Sequence, residues 1–132
     1  MIFVDTSALY ALVDWDDAAH SSATAILQAL LRDRRKLVST NYVIVELLSL
    51  VQRRKGMAAV AKIIADVLPG IEHVIVDADL HDAALELCLG ENRRHLSIVD
   101  CSSIAFMRRT KITRAFAFDT DFERFGIELV SL

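Results

Sequence analysis

The sequence predicts one α/β domain spanning residues 1–132, a twisted, parallel, five-stranded sheet flanked by helices on both faces. Three observations predict it. Short runs rich in Val, Ile and Phe alternate with longer segments of helical periodicity, the pattern of strand–helix–strand units. The short runs are apolar at successive positions, as strands covered on both faces require. No repeat, low-complexity tract or linker marks a second domain, and the chain is long enough to build a core without disulfides or a structural metal.

The first strand is "MIFVD" (1–5), followed by "TSAL", which can open a helix. Over 17–33 the residues Ala18, Ala19, Ala23, Ile26, Leu27, Leu30 and Leu31 form an apolar helical stripe. "KLVS" (36–39) is the second strand, and Val43, Leu47, Leu48 and Val51 set the helical period of 42–55. Segment 57–68 is an Ala-rich helix that ends at "PG" (69–70), since proline cannot continue it. "HVIVD" (73–77) is the third strand, and a helix over 79–89 is expected with Asp79 as N-cap. "SIVD" (97–100) has the form of a capping box, with Ser97 at the N-cap and Asp100 at N3. "RAFAFD" (114–119) and "IELVSL" (127–132) complete the strands, and Thr120 with Glu123 could form another capping box between them.

Composition narrows the function. Hydrophobic residues are 54% of the chain, above the usual ~45–50%, which suits a buried sheet or an apolar partner interface. No run approaches the ~18 apolar residues of a membrane span. "MIFVD" has no basic leader or cleavage site ahead of it, so a cytoplasmic protein is expected. Cys88 and Cys101 sit in apolar helical contexts and are expected as buried, reduced thiols. His20, His73, His81 and His95 lack the spacing of a zinc site. The net charge of −3 argues against a polyanion as partner, yet basic residues cluster at 32–36, 53–55, 93–94 and 108–114. Any one of these clusters is also an ordinary solvated helix face. Together with carboxylates gathered on a metal, they would form a negative pocket rimmed by positive patches, as in a metal-dependent enzyme acting on nucleic acid.

The candidate ligands are carboxylates set against apolar sequence. Asp5 ends the first strand, in an open α/β sheet whose ligand site lies beyond the carboxyl ends of the strands. Asp5, Thr6 and Ser7 are three capping-capable residues in a row, more than one helix start needs. Glu46, in "NYVIVELLSLVQ", is expected on a buried helix face, where an ionised carboxylate is costly unless paired or metal-bound. Arg53 and Arg54 do not stand three or four residues from it, as a helical partner would. Asp100 is equally well explained as a cap or as a ligand. "FDTDFERF" places Asp119 at a strand end, with Asp121 two residues on as a weaker candidate that could simply favour a helix dipole. Hard oxygen ligands without His or Cys select Mg²⁺ or Mn²⁺, and phosphoryl transfer is the chemistry such a cluster supports. No GxSxG, Walker A or GxGxxG motif offers another route.

Taken together, "FVDTSAL", "STNYVIVELLSLV", "LSIVDCSSIAFMRR" and "AFAFDTDFERFG" closely resemble, in order and spacing, the signature segments of PIN-domain ribonucleases, above all the VapC-type toxins of type II toxin–antitoxin pairs. The resemblance covers essentially the whole chain. It places the acidic quartet on Asp5, Glu46, Asp100 and Asp119, puts Asp121 where members carry a less constant acidic or polar residue, and matches Thr6 or Ser7 to a small hydroxyl residue that helps order the site. It implies an endonucleolytic ribonuclease dependent on Mg²⁺ or Mn²⁺. Its partners would be RNA, a cognate antitoxin and a second copy of the chain. On this reading Asp5, Asp100 and Asp119 hold metal, Glu46 ligates or orients the water, and a basic cluster, 108–114 for choice, holds flanking phosphates.

Three alternatives compete. A stand-alone RNA-processing nuclease would share every residue but lack the antitoxin. A non-catalytic binding module on the same fold would bind no Mg²⁺ or Mn²⁺. A haloacid-dehalogenase-like phosphatase needs an acid two residues after its first aspartate, and position 7 is Ser7.

Overall fold

In the computed structural model, which describes residues Met1–Leu132, the strands are β1 (Ile2–Val4), β2 (Leu37–Thr40), β3 (Glu72–Val74), β4 (Arg114–Phe116) and β5 (Glu128–Leu129). The helices are α1 (Thr6–Val13), α2 (His20–Arg32), α3 (Asn41–Lys55), α4 (Met57–Asp66), α5 (Ala78–Glu91) and α6 (Ile98–Thr110). The sheet has the order β3-β2-β1-β4-β5, with every neighbouring pair parallel.

Period-two alternation along β1 sends Ile2 and Val4 to one face and Phe3 to the other. All three are buried, so both faces are covered. Phe3 meets Phe106 of α6 with ring centroids 5.8 Å apart, and α5 packs along α6 on that side. Val4 lies among Leu9, Leu12 and Leu27 of α1 and α2 on the opposite side. Helix α3 packs against α1, α4 and α6 and so links the two layers. Its final turn is fastened to the end of α1: Lys55 pairs with Asp14 at 3.2 Å and Arg54 lies 5.3 Å over the Tyr10 ring.

Three expectations about local structure are corrected. The third strand stops at Val74 and is an edge strand with Glu72 and His73 exposed, not a run buried on both faces. Ile75 is already 66% exposed. Leaving the sheet early frees Asp77 to cap α5, where its carboxylate accepts from the Leu80 N–H at 2.8 Å; Asp79 falls inside the first turn. Likewise Asp119, not Thr120, caps the 3-10 turn Thr120–Phe125, so no Thr120–Glu123 capping box forms.

The strand order carries the functional consequence. From β1 the chain proceeds to one side through β2 and β3, then returns to build β4 and β5 on the other side. The connections diverge at the carboxyl ends of β1 and β4, and that divergence opens a crevice. The Asp5 N–H donates to the Phe116 carbonyl of β4 at 3.0 Å, so Asp5 sits at the floor of this crevice.

Candidate active site

Asp5 is where the chain turns from β1 into α1, and it is buried, at 3% exposure. As N-cap of α1 its Oδ2 accepts from the Ser7 N–H at 3.1 Å and from the Ser7 hydroxyl at 2.7 Å. Burial pushes its pKa upward; the Ser7 and Thr6 hydrogen bonds oppose that rise, and the Glu46 charge adds to it. The Ser7 hydroxyl also accepts from the Phe118 N–H at 3.0 Å. Ser7 therefore joins the first carboxylate to the segment that delivers Asp119.

The two hydroxyl candidates are thereby separated. Thr6 Oγ1 is buried with no hydrogen-bond partner, whereas Ser7 orients the Asp5 carboxylate. Removing such a supporting group from a metal site typically costs 10–100-fold in affinity or activity. Ser7→Ala is expected to lose about that much cleavage activity, with normal folding by circular dichroism. Thr6→Val, which removes a polar atom that bonds nothing, is expected to be near neutral.

Asp100 takes the capping role open to it in the sequence, with its carboxylate still facing the other acids. Its Oδ2 accepts from the Ser97 N–H at 3.0 Å and its own N–H donates to the Ser97 hydroxyl at 3.0 Å, completing the capping box of α6. Burial lifts its pKa to about 6; the Ser97 hydrogen bonds pull against that rise, and the charges of Asp5 and Asp119 reinforce it. A carboxylate at a helix N-terminus would ordinarily titrate low. Desolvation and like charge outweigh the dipole here.

Asp119 follows β4 by three residues rather than ending it, as N-cap of the 3-10 turn, its Oδ1 accepting from the Asp121 N–H at 2.9 Å. Leu96, Asp100, Asp119, Asp121 and Phe122 line one small cleft. Asp121 is drawn away toward Arg93, whose guanidinium stands 3.7 Å from it. Glu46 corrects the expectation of deep burial: it is half-buried, and the neighbouring Val45 is 62% exposed. Helix α3 thus presents Glu46 at the wall of the crevice rather than in the core. No arginine pairs with it.

Across the crevice Asp5 feels the charge of Glu46, and Asp100 feels those of Asp5 and Asp119. In this arrangement no three His, Cys, Asp or Glu side chains stand close enough to hold an ion. Uncompensated carboxylates repel, and Asp5, Asp100 and Asp119 each spend one oxygen on a cap. The donor set itself, all hard oxygen, fits a magnesium-like cation, and such a cation would offset the desolvated charge that raises Asp5 and Asp100.

Arg93 is the residue that sequence reasoning missed. It lay in the basic pair 93–94, but nothing in that pair singled it out as the cation beside the carboxylates. Its Nη1 is buried without a hydrogen-bond partner. The preferred basic cluster, 108–114, does not gather beside the carboxylates: Lys111 and Arg114 lie just before and at the amino end of β4, Arg109 pairs with Asp77 ahead of α5 at 3.1 Å, and Arg108 stacks 5.4 Å over the Phe125 ring. Cys88 and Cys101 are free thiols. Cys101 is buried, and burial with Cys88 alongside pushes it up to about 12; Cys88 is only half-buried.

Comparison with known proteins gives a consistent result. The model of the PIN domain family matches residues 2–128. The 23S rRNA-specific endonuclease VapC20 of Mycobacterium tuberculosis is 38% identical over 130 residues, covering 96% of this chain and 95% of that protein. The crystal structure of M. tuberculosis VapC20, described as a Sarcin-Ricin loop cleaving toxin, superposes with a TM-score of 0.87 at 34% identity over 100% of both chains. FitAcB from Neisseria gonorrhoeae (TM-score 0.72, 13% identity, 99% and 97% covered) and VapBC2 from Rickettsia felis bound to promoter DNA (0.69, 16%, 98% and 98%) share the fold.

Proposed function

Because the chain belongs to the PIN-domain family, we propose that it is a divalent-cation-dependent endoribonuclease and the toxin of a toxin–antitoxin pair. The observation that carries this reading is the coincidence of two independent things. Over almost its entire length the chain resembles an rRNA endonuclease, and Asp5 and Asp100, raised by burial and by the charges of Glu46 and Asp119, face the crevice where an open sheet places its ligand. Large-subunit ribosomal RNA is the first substrate to test, and cytoplasm is where it would be met. No helix is long and apolar enough to cross a membrane.

Asp5, Asp100, Asp119 and Glu46 would hold one or two Mg²⁺ or Mn²⁺ ions, with Asp121 in reserve behind its contact with Arg93. When bound, such an ion lowers the pKa of a water and offsets charge on the attacked phosphate and on the leaving oxygen. The protein's own contribution is orientation. Ser7 fixes the Asp5 carboxylate, Ser97 fixes that of Asp100, and the Asp121 N–H fixes that of Asp119. Glu46, half-exposed and with no salt-bridge partner, would ligate a cation or orient the attacking water. Arg93 supplies the positive charge nearest the cluster and would meet a phosphate oxygen.

An antitoxin finds a suitable surface as well. Between α1, α2 and the turn after α4 runs an apolar groove of about 360 Å³ lined by Leu12, Leu27, Leu31, Val67 and Ile71. Leu31 is 57% exposed there, the kind of surface on which an amphipathic helix docks. On α5, Leu85 and Leu89 stand one turn apart at 42% and 81% exposure, a stripe available to a second copy of the chain.

Expression in a bacterium tests toxin against stand-alone nuclease. The toxin reading expects growth arrest, relieved by co-expressing the small protein encoded beside it, with a discrete cut in 23S rRNA. Unchanged growth together with processing of a precursor RNA would point to the stand-alone enzyme.

A further inference from the structure

At the amino ends of the strands, under the last turn of α6, lies a hollow of about 670 Å³. Its floor is apolar, built from Val38, Val74 and Phe106, and its rim carries Arg35, Arg109, Lys111 and Arg114 against a single acid, Glu72. Arg35 and Arg114 also line a second hollow beyond, of about 280 Å³, beside the end of α2. Asp33 lines that second hollow too and pairs with Arg32 at 3.8 Å, while the neighbouring Arg34 and Lys36 are exposed and without a carboxylate partner. We propose that this basic stripe is a second RNA-binding surface, separate from the carboxylate crevice, that grips the backbone of the folded substrate.

The pairing of its cations supports a ligand role. Arg109 is held by Asp77 at 3.1 Å and Arg114 stands 3.5 Å from Glu128, but neither Arg35 nor Lys111 has a carboxylate within ion-pair distance. The Arg114 Nε is buried and makes no hydrogen bond. Free cations above an apolar floor suit a nucleotide strand, with sugar or base on the floor and phosphates at the rim. A stripe that spans two hollows suits a polymer better than a single phosphate. With Arg109 and Arg114 paired, Arg35 and Lys111 leave an excess of positive charge at this rim on a chain whose net charge is −3.

Position decides what the surface can do. Because every strand is parallel, its amino end is a full strand away from the carboxylates, about 13 Å across four residue steps at ~3.3 Å each. The stripe therefore cannot hold the phosphates flanking the cut. It would engage another segment of the same folded RNA, adding affinity without touching the chemistry. A short oligonucleotide confined to the crevice would not reach it.

This inference rests on the ribonuclease reading, and the test separates the two. Arg35→Glu/Lys111→Glu, with Arg35→Ala/Lys111→Ala as the gentler pair, changes only exposed side chains that anchor nothing. Binding of purified 23S rRNA is measured across a salt series, and cleavage of a short single-stranded oligoribonucleotide is measured in parallel. Both variants are expected to cleave the oligonucleotide within about twofold of wild type and to bind 23S rRNA more weakly. The slope of log K against log salt should be shallower by about 1.4–1.8 for two lost phosphate contacts. Unchanged 23S rRNA affinity and slope would overturn the proposal, and so would an equal loss on both RNAs. Should wild-type protein cleave neither RNA, the ribonuclease reading fails, while the binding series still decides whether the stripe holds RNA.

Discussion

Asp100→Asn is expected to fold, to keep its capping box and to cleave RNA about 10³-fold more slowly than the native protein. Asparagine retains an oxygen to accept from the Ser97 N–H, as Asp100 Oδ2 does at 3.0 Å, so α6 should start where it does now. What disappears is a negative charge in a desolvated crevice. A hard cation is held by such charges, and its stabilisation of the transition state is worth several kcal/mol; about 4 kcal/mol corresponds to the factor expected. Because Asp100 is destabilised in its ionised form by burial and by Asp5 and Asp119, the variant should melt no lower than wild type without added metal. A variant that is stable, inactive and blind to cation would carry the signature of a ligand. One that melts early would show that Asp100 serves mainly the helix.

The second large effect is the coupling of pH, cation and stability. Asp100 titrates at about 6 in the folded protein against an ordinary value of 3.8, and Asp5 is shifted in the same direction. The folded state then holds more protons than the unfolded chain between those pH values, so metal-free stability should fall as pH rises from about 4 to 6 and level off above. A shift of this size amounts to a few kcal/mol, on the order of 3 for Asp100 alone. Mn²⁺ added at pH 7.5 should reverse the loss, since a cation that binds the folded state stabilises it in proportion to the logarithm of its concentration over Kd. The stabilisation by Mn²⁺ should fade below about pH 5, where the carboxyls are protonated and the ion must displace protons to bind. Thermal melts across pH, with and without Mn²⁺, read both effects. Metal-free stability that rises from pH 4 to 6 would contradict the clustering of Asp5, Asp100 and Asp119.

Much of this was legible in the amino-acid sequence because parallel sheets announce themselves. "IFV" and "AF" are buried on both faces, and the topology then leaves the residues just after them, Asp5 and Asp119, at one edge. The Ser97–Asp100 capping box was equally plain, since it depends only on residues three apart. What misled was sequence whose meaning depends on distant packing. "HVIVD" looks like a buried strand, but it forms the sheet's edge and releases Asp77 to cap a helix. Glu46 looked encased in aliphatics, yet Val45 beside it points to solvent and the helix turns Glu46 into the crevice wall. Arg93 beside Asp121 and the 108–114 cluster away from it were unreadable for the same reason: charge can be counted along a chain, but which edge of the sheet it reaches is settled only by the fold.

If one crevice of carboxylates hydrolyses RNA with a divalent cation, cleavage of purified 23S rRNA must depend on that cation, which an assay with Mn²⁺ and with EDTA in its place decides. The expected result is a discrete product with Mn²⁺ and intact RNA with EDTA, restored when Mn²⁺ is returned in excess. Equal cleavage in EDTA by protein freed of contaminating nuclease, or intact RNA under both conditions, would contradict it.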